Sequence, residues 1–153
     1  MAEIPSIERA AGEDAMEIAE LYLAARTDAL PYLRRVHDDA AVLGWIKTVV
    51  LAQGETWVAR HDGGILGFVT LVSDELEQLY LRPGHYRRGI GSMLLAKAKY
   101  RSPGRLHLFT FERNTTARAF YEARGFRIVD RNDGSRNEEG EPDLLYEWAA
   151  TKP

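Results

Sequence analysis

The sequence contains no cysteine. That absence excludes disulfides, zinc–thiolate centres and a cysteine nucleophile. Its four histidines, His37, His61, His85 and His107, show no metal-ligand spacing, so no metal is expected. No apolar run approaches the length that spans a bilayer, and Met1 to Ala10 lacks the apolar stretch of a signal peptide. A cytoplasmic location without membrane contact is the expectation. Charge of neither sign dominates: Lys and Arg number 20 against 23 Asp and Glu, a formal net charge of −3. No basic stripe is interleaved with aromatics, so no nucleic-acid partner is expected. The 153 residues, 45% hydrophobic and 28% charged, fit one domain over 1–153 with a proper core.

Hydrophobic periodicity divides the chain into short elements. Ser6 to Ala10 reads as a first strand. Ile18, Leu21, Tyr22 and Ala25 mark an amphipathic helix that Pro31 ends. Val42, Trp45, Ile46, Val49 and Val50 mark a second helix, entered near Asp38 and Asp39. Residues 56–60 and 64–71 are strands joined at Asp62-Gly63, a strong hairpin signal. A strand over 76–81, a helix from Gly89, a strand over 106–111 and a helix from Thr115 follow. Residues 126–130 and 144–148 close the chain as an antiparallel pair, linked by the polar stretch from Arg131 to Asp143. The order β-α-α-β-β-β-α-β-α-β-β predicts an α/β (α+β) architecture: one mixed, largely antiparallel sheet with helices on both faces.

Two motifs carry the chemistry. The first is Tyr86-Arg87-Arg88-Gly89-Ile90-Gly91-Ser92, between a strand and the start of a helix. Free backbone amides point outward at a helix start, and the helix dipole favours an anion there. Gly89 and Gly91 lack a Cβ, so a pyrophosphate can approach the backbone, and Arg87 and Arg88 can add charge-assisted hydrogen bonds. The Rossmann fingerprint would need a third glycine where Leu94 stands, and the Walker loop would need Lys-Ser/Thr where Ser92-Met93 stands. The second motif runs from Asn114 to Phe126. Asn114 is a good N-cap, and Ala117, Phe120, Tyr121 and Arg124 fall on one helical face. Gly125 can close that helix in the left-handed conformation.

Together the two motifs resemble those of the GNAT superfamily of N-acetyltransferases, and the resemblance extends over about residues 6 to 149. The family's pyrophosphate loop, Gln/Arg-x-x-Gly-x-Gly/Ala, departs here at one place, where Tyr86 stands for Gln or Arg. The family pattern Asn-x-x-Ala-x-x-Phe-Tyr-x-x-x-Gly-Phe is complete.

The resemblance implies the acyl-CoA N-acyltransferase fold, acetyl-CoA as co-substrate, and a primary-amine acceptor, either a small molecule or a peptide, attacking directly through a tetrahedral intermediate. It implies Tyr121 as general acid toward the thioester sulfur, and Asn114, with Ala117 and Phe120 beside it, along the pantetheine arm. Arg87, Arg88, Gly89, Ile90, Gly91 and Ser92 would hold the pyrophosphate. Backbone amides near Leu79, Tyr80 and Leu81, where the family's strands splay, would receive the oxyanion. A glutamate on that strand draws the amine proton through water in the family, with Glu77 the first candidate and Glu75 the second. Strand alternation puts both opposite Leu76, Gln78 and Tyr80. The connector's six acids (Asp130, Asp133, Glu138, Glu139, Glu141, Asp143) face two arginines, Arg131 and Arg136. They are expected to form a negative rim that favours a cationic amine. A homodimer is left open. Two other readings stay beside this one: a different acyl donor or a hydroxyl acceptor, and a non-catalytic module that senses acyl-CoA.

Overall fold

The structure, a computed structural model, describes residues 4–33 and 35–150. The ends of the expected domain, 1–3 and 151–153, lie outside the described residues. The elements follow the expected order. Strand β1 (Ser6–Arg9) leads to helix α1 (Ala15–Ala29), which stops at Leu30 just before Pro31. Helix α2 (Asp39–Trp45) is capped by Asp38, whose side chain accepts from the Ala41 N–H at 2.8 Å. It widens into a π turn (Ile46–Val50) and ends in the short α3 (Leu51–Gln53). Strands β2 (Glu55–His61), β3 (Gly64–Val72) and β4 (Glu75–Leu81) form a meander. Helix α4 (Ile90–Arg101), β5 (Arg105–Phe111), α5 (Thr115–Glu122), β6 (Arg127–Asn132) and β7 (Asp143–Ala149) follow. Asp62 and Gly63 both take positive φ, 50° and 78°, as a tight hairpin turn requires.

The seven strands make one sheet in the order β1-β2-β3-β4-β5-β7-β6. Every neighbouring pair is antiparallel except β4 with β5. The last strand inserts between β5 and β6, an arrangement that periodicity cannot foretell. Two apolar clusters lie on opposite faces. On one, Leu94, Leu95 and Ala98 of α4 and Tyr121 of α5 pack with Leu76, Leu106, Leu108, Leu144 and Tyr146 of the sheet. On the other, Ile18, Leu21 and Tyr22 of α1 and Val42 and Ile46 of α2 and its π turn pack with Val58, Ile65 and Phe68. Among the described residues, no helix is long and apolar enough to cross a membrane.

Candidate active site

Strands β4 and β5 pair in parallel at Glu75 and His107, supported by a 2.9 Å bond from the His107 N–H to the Asp74 carbonyl, and then part. The parting leaves one edge of β4 without a neighbour. Which β4 amides face that opening follows from the ladder with β3. The Arg82 N–H donates to Leu66 O at 2.8 Å, so Arg82 and Leu66 are a hydrogen-bonded pair. Pairs alternate along an antiparallel ladder, so Tyr80 with Phe68 and Gln78 with Thr70 are also bonded pairs. The amides of Leu79 and Leu81 therefore point into the opening, whereas that of Tyr80 is taken by β3. Of the three expected oxyanion donors, two remain.

The expected alternation of β4 fails at one residue. Leu76 pairs with Leu71 and Gln78 with Thr70, so Glu77 is the extra residue of a β-bulge. The bulge reverses the phase. Leu76, Leu79 and Leu81 share the face under α4, while Glu77 joins Gln78 and Tyr80 in the wall of a cavity of about 850 Å³ on the α1 side. Glu77 is thus on the side of Gln78 and Tyr80, not opposite them. Burial, and then the nearby Glu75, pushes its carboxyl above the usual glutamate value. Glu75 does not line this cavity. Its Oε1 lies 3.4 Å from Nε2 of His107, whose Nδ1 lies 3.3 Å from Asp74.

The remaining cavity wall comes from far along the chain. Helix α1 supplies Tyr22 and Arg26, α2 supplies Trp45, β5 supplies Phe111, and the β6–β7 connector supplies Glu138 and Glu139. Tyr22 forms an aromatic corner, its ring centroid 5.2 Å from Trp45 and 5.0 Å from Tyr80. The connector does border the cavity, but its acids are not a free negative rim. Glu139 lies 3.6 Å from Arg26, Glu138 2.8 Å from His37, and Glu141 3.0 Å from Arg113. Arg26 also donates to the Tyr22 hydroxyl at 2.6 Å. Among the described residues, Glu77 is the carboxylate of this wall that has no ion-pair partner.

On the opposite side of the sheet stands the glycine loop. Gly89 caps α4 in the left-handed region, φ 81°, and Arg87 shares that region at φ 64°. Among the described residues, no backbone hydrogen bond takes the N–H groups of Gly89, Ile90, Gly91 or Ser92, so four amides are unpaired at a helix start. Arg87 and Arg88 are exposed beside them. The two glycines have different reasons. A Cβ on Gly89 would meet nothing within 4 Å, and its requirement is conformational. A Cβ on Gly91 would lie 3.1 Å from the Phe120 ring. Gly91 is buried against α5, so its missing side chain permits close helix packing. Arg124 lies in the same place, unrecognised in the sequence except as part of a helix face. Its guanidinium stacks 3.8 Å over Phe120 and donates to Ser92 Oγ at 2.8 Å, which sets a cation at the first turn of α4.

Helix α5 brings the remaining side chains. Asn114 Oδ1 accepts from the Ala117 N–H at 3.2 Å, so the cap forms as expected, and its amide nitrogen stays unused among the described residues. Tyr121 is 7% exposed, its ring edge-on to Phe120 and Phe126. Its hydroxyl has no hydrogen-bond partner among the described residues. Burial, and next Tyr80 from the opposite side of the sheet, pushes its pKa well above the usual tyrosine value, so it stays protonated. Among the described residues, no three His, Asp or Glu side chains are grouped to hold a metal ion.

The arrangement is a helix start with unpaired amides and a cavity on opposite sides of one gap, with two free amides, a carboxylate and a phenol around it. Residues 52–128 match the acetyltransferase (GNAT) domain family. The chain is 35% identical over 115 residues to the peptidyl-lysine N-acetyltransferase YiaC of Escherichia coli (strain K12), covering 74% of this chain and 77% of that one. Among solved structures, apo-form YjaB from Escherichia coli superposes with a TM-score of 0.80 at 21% identity, covering 97% of this chain and 100% of that one. PaiA N-acetyltransferase from Thermoplasma acidophilum, in complex with coenzyme A, gives 0.73 at 21% identity, covering 95% and 98%. The chain therefore belongs to the GNAT family of acetyl-CoA-dependent N-acetyltransferases.

Proposed function

We propose that the enzyme acetylates the side-chain amine of lysine in a polypeptide, and that the parting of β4 from β5 is where the transfer occurs. The observation that carries this reading is Glu77, set by its bulge in the cavity wall within two residues of the free Leu79 amide. The relative YiaC, named for peptidyl-lysine acetylation, supplies the acceptor class.

A lysine amine at its ordinary pKa is neutral in only about one molecule in a thousand near pH 7. The aromatic corner of Tyr22, Trp45 and Tyr80 suits the methylene stem and the cation. Glu77 accepts the ammonium proton, directly or through one water, and its raised pKa brings it closer to that task. The freed amine attacks the thioester carbonyl, forming the C–N bond. The amides of Leu79 and Leu81 stabilise the oxyanion. The C–S bond then breaks, the Tyr121 hydroxyl hydrogen-bonds and protonates the departing thiolate, and the second proton, shed by the new amide nitrogen, restores the phenol while Glu77 releases the first to water. On the donor side, the amides of Arg88 to Ser92 receive the pyrophosphate, helped by Arg87, Arg88 and Arg124. The spare Asn114 amide, with Ala117 and Phe120, borders the pantetheine arm.

The test is thiol release from acetyl-CoA with N-α-acetyl-lysine methylamide and lysine peptides as acceptors, set against free polyamines and alcohols. Turnover confined to alcohols, or thiol release independent of any acceptor, would overturn this assignment.

A further inference from the structure

On the side of the acceptor cavity, the helices cover only part of the sheet. Among the described residues, the apolar cluster beneath α1 to α3 draws sheet residues from β2, β3 and β4, and none from β5, β7 or β6. The register lays out what the uncovered part presents. Leu106, Leu108, Leu144, Tyr146 and Ile128 face the other way, into the cluster with α4 and α5. Their alternates therefore form the open face. One row crosses it as Phe109, Leu145 and Asp130, the next as His107, Glu147 and Arg127, and the row nearest the cavity begins at Phe111 and Asp143. Phe109 is 49% exposed, and Val129, the extra residue of the β6 bulge, is 45% exposed beside this row. An apolar centre thus lies in the open. It starts two residues, roughly 7 Å at strand rise, from Phe111 in the cavity wall.

The charge around that centre has a sign. Glu75, Asp130, Asp143 and Glu147 stand on the open face against Arg105 and Arg127, with Arg136 3.9 Å from Asp130, and Glu77 lies at its cavity end, so acids still outnumber bases. Arg105 is already held by Glu147 at 3.2 Å and Asp74 at 3.6 Å. A ligand seated here meets an apolar strip inside a net negative border that leads to the base.

We infer that this open face of β5, β7 and β6 is the docking surface for the polypeptide that carries the acceptor lysine, and that it selects a segment with apolar and basic residues beside that lysine. The inference rests on the lysine reading above. Continuity with the cavity and the negative border favour this occupant over a second copy of the chain, which carries the same negative border.

The experiment compares the full chain with the Phe109→Thr/Leu145→Thr double variant, threonine keeping the strand preference. The acceptors are N-α-acetyl-lysine methylamide and a capped twelve-residue peptide whose central lysine is flanked by arginine and leucine. The wild-type enzyme should prefer the peptide in kcat/KM. The double variant should lose about tenfold on the peptide, mainly through KM, and change less than twofold on the capped lysine. Arg127→Glu should raise peptide kcat/KM severalfold at low salt and not at high salt.

Equal loss on both acceptors in the double variant, or no loss on either, overturns the docking surface while the lysine reading stands. A wild-type dimer in sedimentation that the double variant dissolves overturns it in favour of a second copy. If the wild-type enzyme acetylates neither acceptor, the lysine reading fails and the docking surface falls with it.

Discussion

Removing one oxygen atom at Tyr121 should lower activity and leave stability nearly unchanged. The ring of Tyr121 is held edge-on by Phe120 at 5.2 Å and by Phe126 at 5.4 Å, and Tyr121→Phe keeps both contacts. The hydroxyl makes no hydrogen bond to the described chain, so its loss orphans no partner. The hydroxyl oxygen is not among the fully buried atoms that lack a partner, so its loss relieves no desolvation penalty either. The Phe variant should therefore unfold at about the same Tm. Activity should fall. General acid assistance supplies roughly 10²- to 10³-fold, or about 2.7–4 kcal/mol at 1.36 kcal/mol per tenfold, and this should appear in kcat with coenzyme A affinity unchanged. The assays are thermal unfolding, coenzyme A titration and steady-state thiol release. A core tyrosine kept for packing alone would give full activity with unchanged or lower Tm. That result would refute the role of the hydroxyl and leave water as the proton source.

Four further variants test the geometry. Glu77 must be deprotonated to act as a base, so activity is lost as pH falls through its pKa; because burial and Glu75 raise that pKa, the rising limb of kcat/KM should lie above the ordinary glutamate range, and Glu77→Gln should abolish it. The same raised pKa stabilises the fold only below it, so the wild-type Tm should decline relative to that of Glu77→Gln as pH rises through the limb, and parallel Tm curves would contradict the shift. Gly89→Ala puts a side chain at φ 81°, a strain of about 1–2 kcal/mol, and should raise the KM for acetyl-CoA roughly 5- to 30-fold with little change in kcat. Gly91→Val instead strikes Phe120 and should appear first as lost stability, about 1–3 kcal/mol in denaturant unfolding. Arg124→Met keeps the stem over Phe120 but removes the cation at the start of α4, and coenzyme A titration should show severalfold weaker binding at low salt that converges with wild type at high salt.

The ion pairs around the cavity change how the acidic connector acts on an acceptor. Arg26 with Glu139 and His37 with Glu138 join α1 and the segment after it to the β6–β7 connector. Arg113 adds a third link, stacked 3.7 Å from the Tyr32 ring and 3.0 Å from Glu141. Of the acids in the cavity wall, Glu139 is thus paired with Arg26 and Glu138 meets the His37 ring, while Glu77 has no ion-pair partner among the described residues.

The sequence by itself determined what depends on residues a few positions apart. The Asp62-Gly63 hairpin, the Asp38 and Asn114 caps, the stop before Pro31 and the left-handed Gly89 all arise from local backbone geometry and local hydrogen bonds. The glycine turn before α4 and the placing of Tyr121 on α5 are local in the same sense, and so those elements were legible. What needed the tertiary structure depends on partners tens of residues away. The bulge that turns Glu77 into the cavity is a mismatch between β3 and β4, invisible in an alternating pattern read on one strand. Gly91 packs against Phe120, where a Cβ would be crowded, and Arg124 reaches the first turn of α4 because of Ser92. Tyr22 and Trp45 read as core on their own helices, and they line a cavity only because the β6–β7 connector stands opposite. Each of these is decided by burial and packing across the sheet, where the energy of a side chain depends on neighbours that the local sequence does not specify.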